Sequence, residues 1–234
     1  MGERSRVISL VPVEGIGEIS PGDDIAELVL AHAQLADYDV LVVTQKAVSK
    51  AEGRLVAAAG PEDRRRIVLS ESARVLRERG DLLISETHHG FVCANAGVDL
   101  SNVSEGWASL LPLDPDRSAR HIRDALRARG GVEVGVIVSD TFGRPWRNGL
   151  TDVAIGCAGI AGVVDLRGSP DAGGRTLSAT EVCVADELAA AAELAKGKAS
   201  GVPAVVVRGV DRSWFREASV KAEVVRPYAL DLFR

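Results

Sequence analysis

The chain has 234 residues, of which 46% are hydrophobic, 26% charged and 4% aromatic. These proportions are typical of a globular protein with an aliphatic core, and they exclude disordered and collagen-like chains. The formal net charge is −5, and no basic run has the density of a nucleic-acid-binding surface, so we expect no nucleic acid as a partner.

Neither a leader-like N-terminal segment nor a run of about 18 apolar residues occurs, so we expect no secretion and no membrane insertion. The three cysteines, Cys93, Cys157 and Cys183, are widely spaced among apolar or small residues. We predict that they are buried free thiols, which suits a reducing cytoplasm.

The hydrophobic pattern predicts strands and helices that alternate along the chain. Strands are predicted at residues 6–13, 39–44, 81–85, 90–97, 131–138 and 203–209. Helices are predicted at residues 22–35, 61–80, 114–130 and 180–197, and residues 45–54 are predicted to form a polar site loop. This order indicates an α/β protein, with α+β as the alternative, in which helices flank a mixed sheet.

Two aspartates, Asp99 and Asp140, follow segments that the pattern predicts to be strands. Strand ends can bring both carboxylates into one cleft, where Thr141 and Asn102 add neutral oxygens. Such oxygens are the ligands that Mg²⁺ and Mn²⁺ prefer. The alternative is that both aspartates are turn or helix-cap residues, and their spacing does not decide between the two.

Glycines and lysines are spread over three segments that can contact a phosphate. They are Gly15 and Gly17 on an early loop, Lys46 and Lys50 after an apolar strand, and the run from Lys196 to Lys198 at a helix end. Backbone amides freed by glycine, together with lysine charges, bind phosphates in proteins that lack a Walker loop. Each residue alone can equally be a turn glycine or a solvated lysine, but together with the aspartates they favour phosphoryl chemistry.

Four long motifs, in order, carry a resemblance to a known family. They are "VTQKAVSKAEGR", "GFVCANAGVDLSNV", "SDTFGRPWRNGLTDVAIGCAGI" and "TEVCVADELAAAAELAKGKASGVPAVVVRG". Over nearly its full length the chain resembles the coenzyme F420-0:L-glutamate ligase family. The resemblance implies a ligase domain over residues 1–234, in one lobe or two, and an intertwined α/β homodimer. The segment "RPYALDLFR" looks like the junction at which some relatives continue into a flavin-reductase-like domain, and no such domain lies within these residues.

The resemblance also implies the ligands and where they bind. GTP contacts fall on Gly15, Ile16, Gly17, Glu18, Gln45, Lys46, Lys50, Asn102, Gly197 and Lys198. Of two divalent cations, Mn or Mg, the first falls on Asp99 and Asp140 and the second on Thr141, and a monovalent cation is left open. Some family members have Gln at the position of Lys198, and a protonated lysine cannot ligate a cation. The second cation therefore has one protein ligand fewer here, or Lys198 replaces part of its charge.

The implied reaction is the GTP-dependent, γ-linked addition of L-glutamate to the deazaflavin F420-0, and in some cases F420-1, through an acyl phosphate. We predict catalytic roles for Asp140 and Lys50, and on chemical grounds for Arg144 and Arg147, whose guanidinium groups can bind anionic substrate. The alternative is that the two arginines are ordinary surface residues. Two other functions stay open: another metal-dependent phosphoryl-transfer or amide-forming enzyme, and a non-catalytic nucleotide- or deazaflavin-binding protein.

Overall fold

The computed structural model describes residues 7–101, 103–197 and 200–232. The strands are β1 (Ser9–Pro12), β2 (Val40–Thr44), β3 (Leu55–Ala57), β4 (Ser72–Arg79), β5 (Leu82–Thr87), β6 (Val92–Ala94), β7 (Trp107–Ser109), β8 (Gly135–Arg144), β9 (Arg147–Ala158), β10 (Val164–Asp165), β11 (Glu181–Val182) and β12 (Ala204–Arg208). The α-helices are α1 (Ile25–His32), α2 (Gln45–Ala51), α3 (Pro61–Ser70), α4 (Pro115–Gly130), α5 (Val184–Lys196) and α6 (Val220–Glu223).

The centre of the molecule is a five-stranded sheet with the order β1, β12, β2, β8, β9. Strands β2 and β8 run parallel to each other, and the other neighbours are antiparallel. The mixed sheet with flanking helices that the sequence predicts is therefore confirmed.

The apolar run of β2 is continuous because both faces of the sheet are covered. On one face, Leu41 and Val43 belong to a core cluster that contains Val29 of α1 and Leu126 of α4. On the other face, Val40 and Val42 pack in a cluster with α5 residues that include Ala189. Because both of its faces are buried, the sheet holds the residues at its edges in fixed positions.

Residues 55–109 form a peripheral part with two small sheets. Strands β3 and β7 pair in one of them, and β4, β5 and β6 form an antiparallel three-stranded sheet in the other. Two small apolar clusters lie here, one around Ile67 and Leu110 and the other around Val68 and Leu83. The chain leaves the central sheet after α2 and returns to it through α4, so this part lies beside the carboxyl end of β2.

Two of the predicted elements are wrong. The helix predicted over residues 61–80 ends at Ser70, and Ser72–Arg79 forms β4. There the pairing with β5 overrides local helix propensity, and cross-strand contacts such as the ion pair of Arg74 with Glu86 support it. The polar loop predicted at residues 45–54 is largely helix α2, because Thr44 caps it and Gln, Lys and Ala favour helix.

The other predicted elements are present with ends shifted by a few residues, apart from the strand after Gly131. That strand, β8, continues through the polar residues as far as Arg144. Cys93 and Cys157 are buried, Cys183 is partly buried, and all three are free thiols, as expected. Within the described ranges, no helix combines the length and apolar character that crossing a membrane requires.

Candidate active site

A cavity of about 330 Å³ opens where β2 and β8 end their parallel pairing. The last pair of that ladder joins Thr44 to Ser139, so helix α2 and the polar half of β8 begin side by side. The cavity is lined by Gly17, Glu18, Ile19, Thr44, Gln45, Lys46, Ala47, Lys50, Ser139, Asp140, Thr141, Asp152, Glu193, Gly197, Gly201, Val202 and Pro203. Its volume falls within the range of small-molecule sites, and the carboxyl edge of parallel strands is where such sites form in α/β sheets.

Asp140 lies in the middle of β8, and the prediction that it sits at a strand end is wrong. Strand β9 continues the ladder and pairs Val153 with Asp140, which keeps β8 extended beyond the end of β2. From Asp140 onward β8 has lost its β2 neighbour, so the residue still lies at the open edge of the sheet. Burial raises the pKa of Asp140 to about 7, with an opposing contribution from the Thr141 N–H and a further increase from the negative charges of Asp99 and Asp152.

Lys46 of α2, a predicted phosphate contact, forms an ion pair with Asp99, a predicted metal ligand. Its Nζ lies 2.7 Å from Asp99 Oδ2 and donates a hydrogen bond of 2.7 Å to Ser101 Oγ. Burial raises the pKa of Asp99, but the hydrogen bond and charge of Lys46 and the backbone N–H of Ser101 hold it below its ordinary value. Asp99 is near enough for its charge to reach Asp140, although it does not itself line the cavity.

Lys50 lies one helical turn further along α2, and its Nζ forms an ion pair with Glu18 on the loop after β1. The two lysines therefore face the same cavity from one helix, as residues four apart on a helix do. Gln45 is buried at the start of α2, where its Nε2 donates to Ser49 Oγ at 2.6 Å and to the Leu110 carbonyl at 2.9 Å.

Of the other predicted nucleotide contacts, some line the cavity and others do not. Gly17 and Gly197 line it, and Gly197 ends α5 with a positive φ of 64°. Ile16 is buried in the core and Gly15, with a φ of 83°, lies against His32; neither lines the cavity. The predictions for Asn102 and Lys198 concern positions outside the described residues.

Arg144 and Arg147 lie opposite each other near the tip of the hairpin formed by β8 and β9. Both are exposed, as is Trp146 between them, which is 83% exposed with a φ of 58°. Neither arginine lines the cavity. The structure therefore places the two arginines near the exposed tip of the hairpin, outside the lining of the cavity.

Three polar residues of the cavity escaped prediction: Ser139, Asp152 and Glu193. Lys196, which the sequence placed in a segment that can contact a phosphate, does not line the cavity and is instead buried beside Asp152. Lys196 is only 1% and Asp152 only 3% exposed, and their Nζ and Oδ2 atoms lie 2.7 Å apart. Helical spacing could have found Lys196, because it follows buried Ala189 and Ala192 on one face of α5. Its partner Asp152 could have been found by pairing β8 with β9 as a hairpin, because that pairing places Asp152 directly opposite Thr141.

The oxygen atoms that these residues offer are of the types that a hard cation binds. Asp140 and Asp99 supply carboxylates and Thr141 a hydroxyl, which are the oxygen donors that Mg²⁺ and Mn²⁺ take. Across the three described ranges, no three His, Cys, Asp or Glu side chains are grouped as a metal site. A cation here would consequently take a large share of its ligands from substrate phosphates or water, as Mg²⁺ commonly does.

This arrangement defines a mixed α/β protein whose cavity combines lysines with oxygen donors, which is suited to an anionic ligand and a cation. The family model for F420-0:gamma-glutamyl ligase matches residues 15–209. The chain belongs to this family.

Curated relatives match almost the whole chain. It is 43% identical over 249 residues to the coenzyme F420:L-glutamate ligase of Methanothermobacter thermautotrophicus, covering 97% of this chain and 99% of the relative. Identity to the protein of the same name from Methanopyrus kandleri is 43% over 246 residues, covering 97% of each chain. A third relative of that name, from Archaeoglobus fulgidus, is 42% identical over 221 residues, covering 87% of this chain and 88% of the relative.

Proposed function

We propose that this protein is a GTP-dependent ligase that adds L-glutamate to coenzyme F420-0, and in some cases to F420-1, through a γ-linked amide. The observation that carries the proposal is the cavity in which Lys46 and Lys50 face Asp140 and Thr141. Membership of the F420-0:gamma-glutamyl ligase family supports the choice of substrate, and so do the names of the relatives.

The triphosphate of GTP binds along the α2 side of the cavity. Lys46 and Lys50 supply two positive charges there, and the backbone of Gly17 and Gly197 can approach phosphate oxygens closely. Gly15, Ile16, Glu18 and Gln45, with Asn102 and Lys198, complete the proposed nucleotide site. Both lysine ammonium groups are now paired with carboxylates, so phosphate binding exchanges these partners for phosphate oxygens.

Two divalent cations, Mn or Mg, are proposed at Asp99, Asp140 and Thr141, and a monovalent cation is left open. The fit rests on the types of donor atom and on their place at the cavity, where Asp140 and Thr141 are neighbours in the lining. Burial raises the pKa of Asp140 to about 7, and a bound cation would lower it again by stabilising the carboxylate. Bound cations would supply charge that neutralises the phosphates and the reacting carboxylate.

The cavity residues would bring two anions together for the first step. The acceptor carboxylate attacks the γ-phosphorus of GTP, GDP leaves, and an acyl phosphate forms. Lys50 and Lys46 hold the phosphate chain in line with the attacking oxygen, since positioning and charge stabilisation account for most of catalysis in phosphoryl transfer. The amine of L-glutamate then attacks the acyl carbon, loses a proton and displaces inorganic phosphate to give the amide.

Arg144 and Arg147 are proposed to bind anionic groups of the acceptor or of glutamate from the hairpin that projects beside the cavity. Their exposure and mutual proximity suit two-point binding of a carboxylate or a phosphodiester. The protein is proposed to act as a cytoplasmic homodimer with intertwined subunits, which light scattering on the purified chain tests.

The function is tested by mass spectrometry of reactions that contain F420-0, L-glutamate, a nucleotide and one divalent cation. We expect a product heavier by one glutamyl residue, with one GDP formed per amide, in the presence of Mn²⁺ or Mg²⁺. Omitting glutamate, replacing it with aspartate, or replacing GTP with ATP are the controls. GTP hydrolysis without a heavier product, or no GDP at all, would contradict the proposal.

A further inference from the structure

The buried pair of Lys196 and Asp152 is hydrogen-bonded to two hydroxyl groups of the cavity, those of Ser139 and Thr141. Asp152 itself lines the cavity, and Lys196 does not. Lys196 Nζ lies 2.7 Å from Asp152 Oδ2 and donates a hydrogen bond of 2.9 Å to Ser139 Oγ. A second carboxylate, Glu193 Oε2, is 3.5 Å from the same ammonium group. Three elements therefore converge on one buried charge: the end of α5 and the two strands of the hairpin.

Both oxygens of the Asp152 carboxylate are engaged by these neighbours. Oδ1 accepts a hydrogen bond of 2.6 Å from Thr141 Oγ1, and Oδ2 accepts one of 2.9 Å from Ser139 Oγ in addition to the ammonium group. Asp152 is thus fixed by Lys196 on one side and accepts the Thr141 hydroxyl proton on the other.

A hydroxyl group carries one proton, and the Thr141 hydroxyl donates it in the hydrogen bond to Asp152. Toward any further partner the Thr141 oxygen can act only as an acceptor, which is what coordination of a cation requires. Carboxylates that orient ligating side chains in this way typically change metal affinity by about 10 to 100-fold when they are replaced.

We propose that Asp152 and Lys196 are positioning residues, which fix the Thr141 hydroxyl so that its oxygen faces the cavity as a ligand for a divalent cation. The inference rests on the cation site of the proposed function. It assigns the buried lysine and its partner a role in cation binding that acts through the Thr141 hydroxyl.

Asp152→Asn is the informative substitution, because Lys196 dictates how the new amide turns. The amide oxygen must face the ammonium group, since two donors cannot face each other, and the NH₂ group then faces Thr141. The Thr141 hydroxyl accepts from that NH₂, and its own proton turns toward the cavity. We expect the Kd for Mn²⁺ to rise by about 10 to 100-fold, measured by electron paramagnetic resonance in the presence of GDP, without turnover.

A second variant separates positioning from folding. In Asp152→Leu/Lys196→Met the buried charges are removed together, so the variant is expected to keep a Tm near that of the wild type, as apolar replacements of buried pairs often do. The Kd for Mn²⁺ should stay raised, because Thr141 has lost its acceptor. A pair that serves only the fold would restore Mn²⁺ affinity along with the Tm, and this result would overturn the inference.

The matched control is Asp39→Asn, which changes another buried aspartate at the sheet, one that is paired with the half-exposed Arg208. It should lower the Tm and leave the Kd for Mn²⁺ unchanged. If the wild type binds Mn²⁺ and Asp152→Asn binds it equally well, the positioning role alone is wrong. If the wild type binds no Mn²⁺ with GDP present, the proposed cation site is wrong, and the inference fails with it.

Discussion

The two ends of the central sheet each hold a buried aspartate that is paired with a basic side chain, yet the pairs differ in what they contact. At the amino end of β2, Asp39 accepts from Arg208 Nε at 2.8 Å and Nη2 at 2.7 Å, and from the backbone N–H of Ala36. At the other end, Asp152 accepts from Lys196 and from the hydroxyls of Thr141 and Ser139.

In the first pair the basic side chain is open to solvent, because Arg208 is 46% exposed. The second is enclosed, and its hydrogen bonds pass on to side chains that line a cavity. Similar ion pairs therefore serve different purposes: the Asp39 pair ties a turn to a strand, whereas the Asp152 pair holds polar groups in position beside a binding site.

The largest effect is expected from Asp140→Asn, which removes a charge at the cavity and keeps the shape. GDP release should fall by roughly a thousandfold, as expected when a group that stabilises transition-state charge is lost. The Tm should stay near that of the wild type or rise, because a partly buried carboxylate with a raised pKa is replaced by a neutral amide. Asp165→Asn, at an exposed aspartate on β10, is the control and should keep full activity. Substantial residual activity in Asp140→Asn would refute the cation assignment.

Lys50→Met comes next and tests the proposed phosphate contact. Hydrogen bonds to charged groups contribute about 1.5–3 kcal/mol, so the Kd for GDP, measured by calorimetry, should rise by about 10 to 100-fold. Lys221→Met removes an exposed lysine on α6 and is the matched control. Equal GDP affinity in both variants would mean that Lys50 serves only its ion pair with Glu18.

Much of the central sheet could be predicted from the sequence, because the continuous apolar runs of β2, β8 and β12 reflect burial on both faces. Strand β4 could not, because its residues are mostly exposed and its strand state depends on pairing with β5, which local propensity does not encode. The parallel pairing of β2 with β8 explains why Lys46 and Asp140, far apart in sequence, share one cavity.

Within the site, the sequence predicted the lysines and aspartates that are proposed to contact ligands better than the buried network around Asp152 and Lys196. Asp140 and Lys50 stand out as polar residues next to apolar strands. Helical spacing places Lys196 on the same face of α5 as Ala189 and Ala192, but the packing of that face against β9, beside Asp152, is revealed only by the tertiary fold.

A smaller effect is expected from the double substitution Arg144→Gln/Arg147→Gln on the hairpin tip. If these arginines bind the acceptor, its KM should rise by roughly tenfold with kcat unchanged, which is the behaviour of groups that bind ground state and transition state alike. The Tm should not change, because both side chains are exposed. An unchanged KM for both acceptor and glutamate would show that they are ordinary surface residues.

The smallest effect on activity is expected from Arg208→Met, which breaks the pair at the far end of the sheet. The Asp39 carboxylate stays buried without its main partner, but solvent reaches the position of the half-exposed guanidinium and moderates the loss. We therefore expect the free energy of unfolding to fall by about 1–2 kcal/mol, with kcat and the Kd for Mn²⁺ unchanged at 25 °C. Denaturant titration and the ligase assay on the same preparation measure both. A parallel loss of cation affinity would mean that the sheet couples the Asp39–Arg208 pair to the cavity. The proposed difference in role between this pair and the Asp152–Lys196 pair would then be wrong.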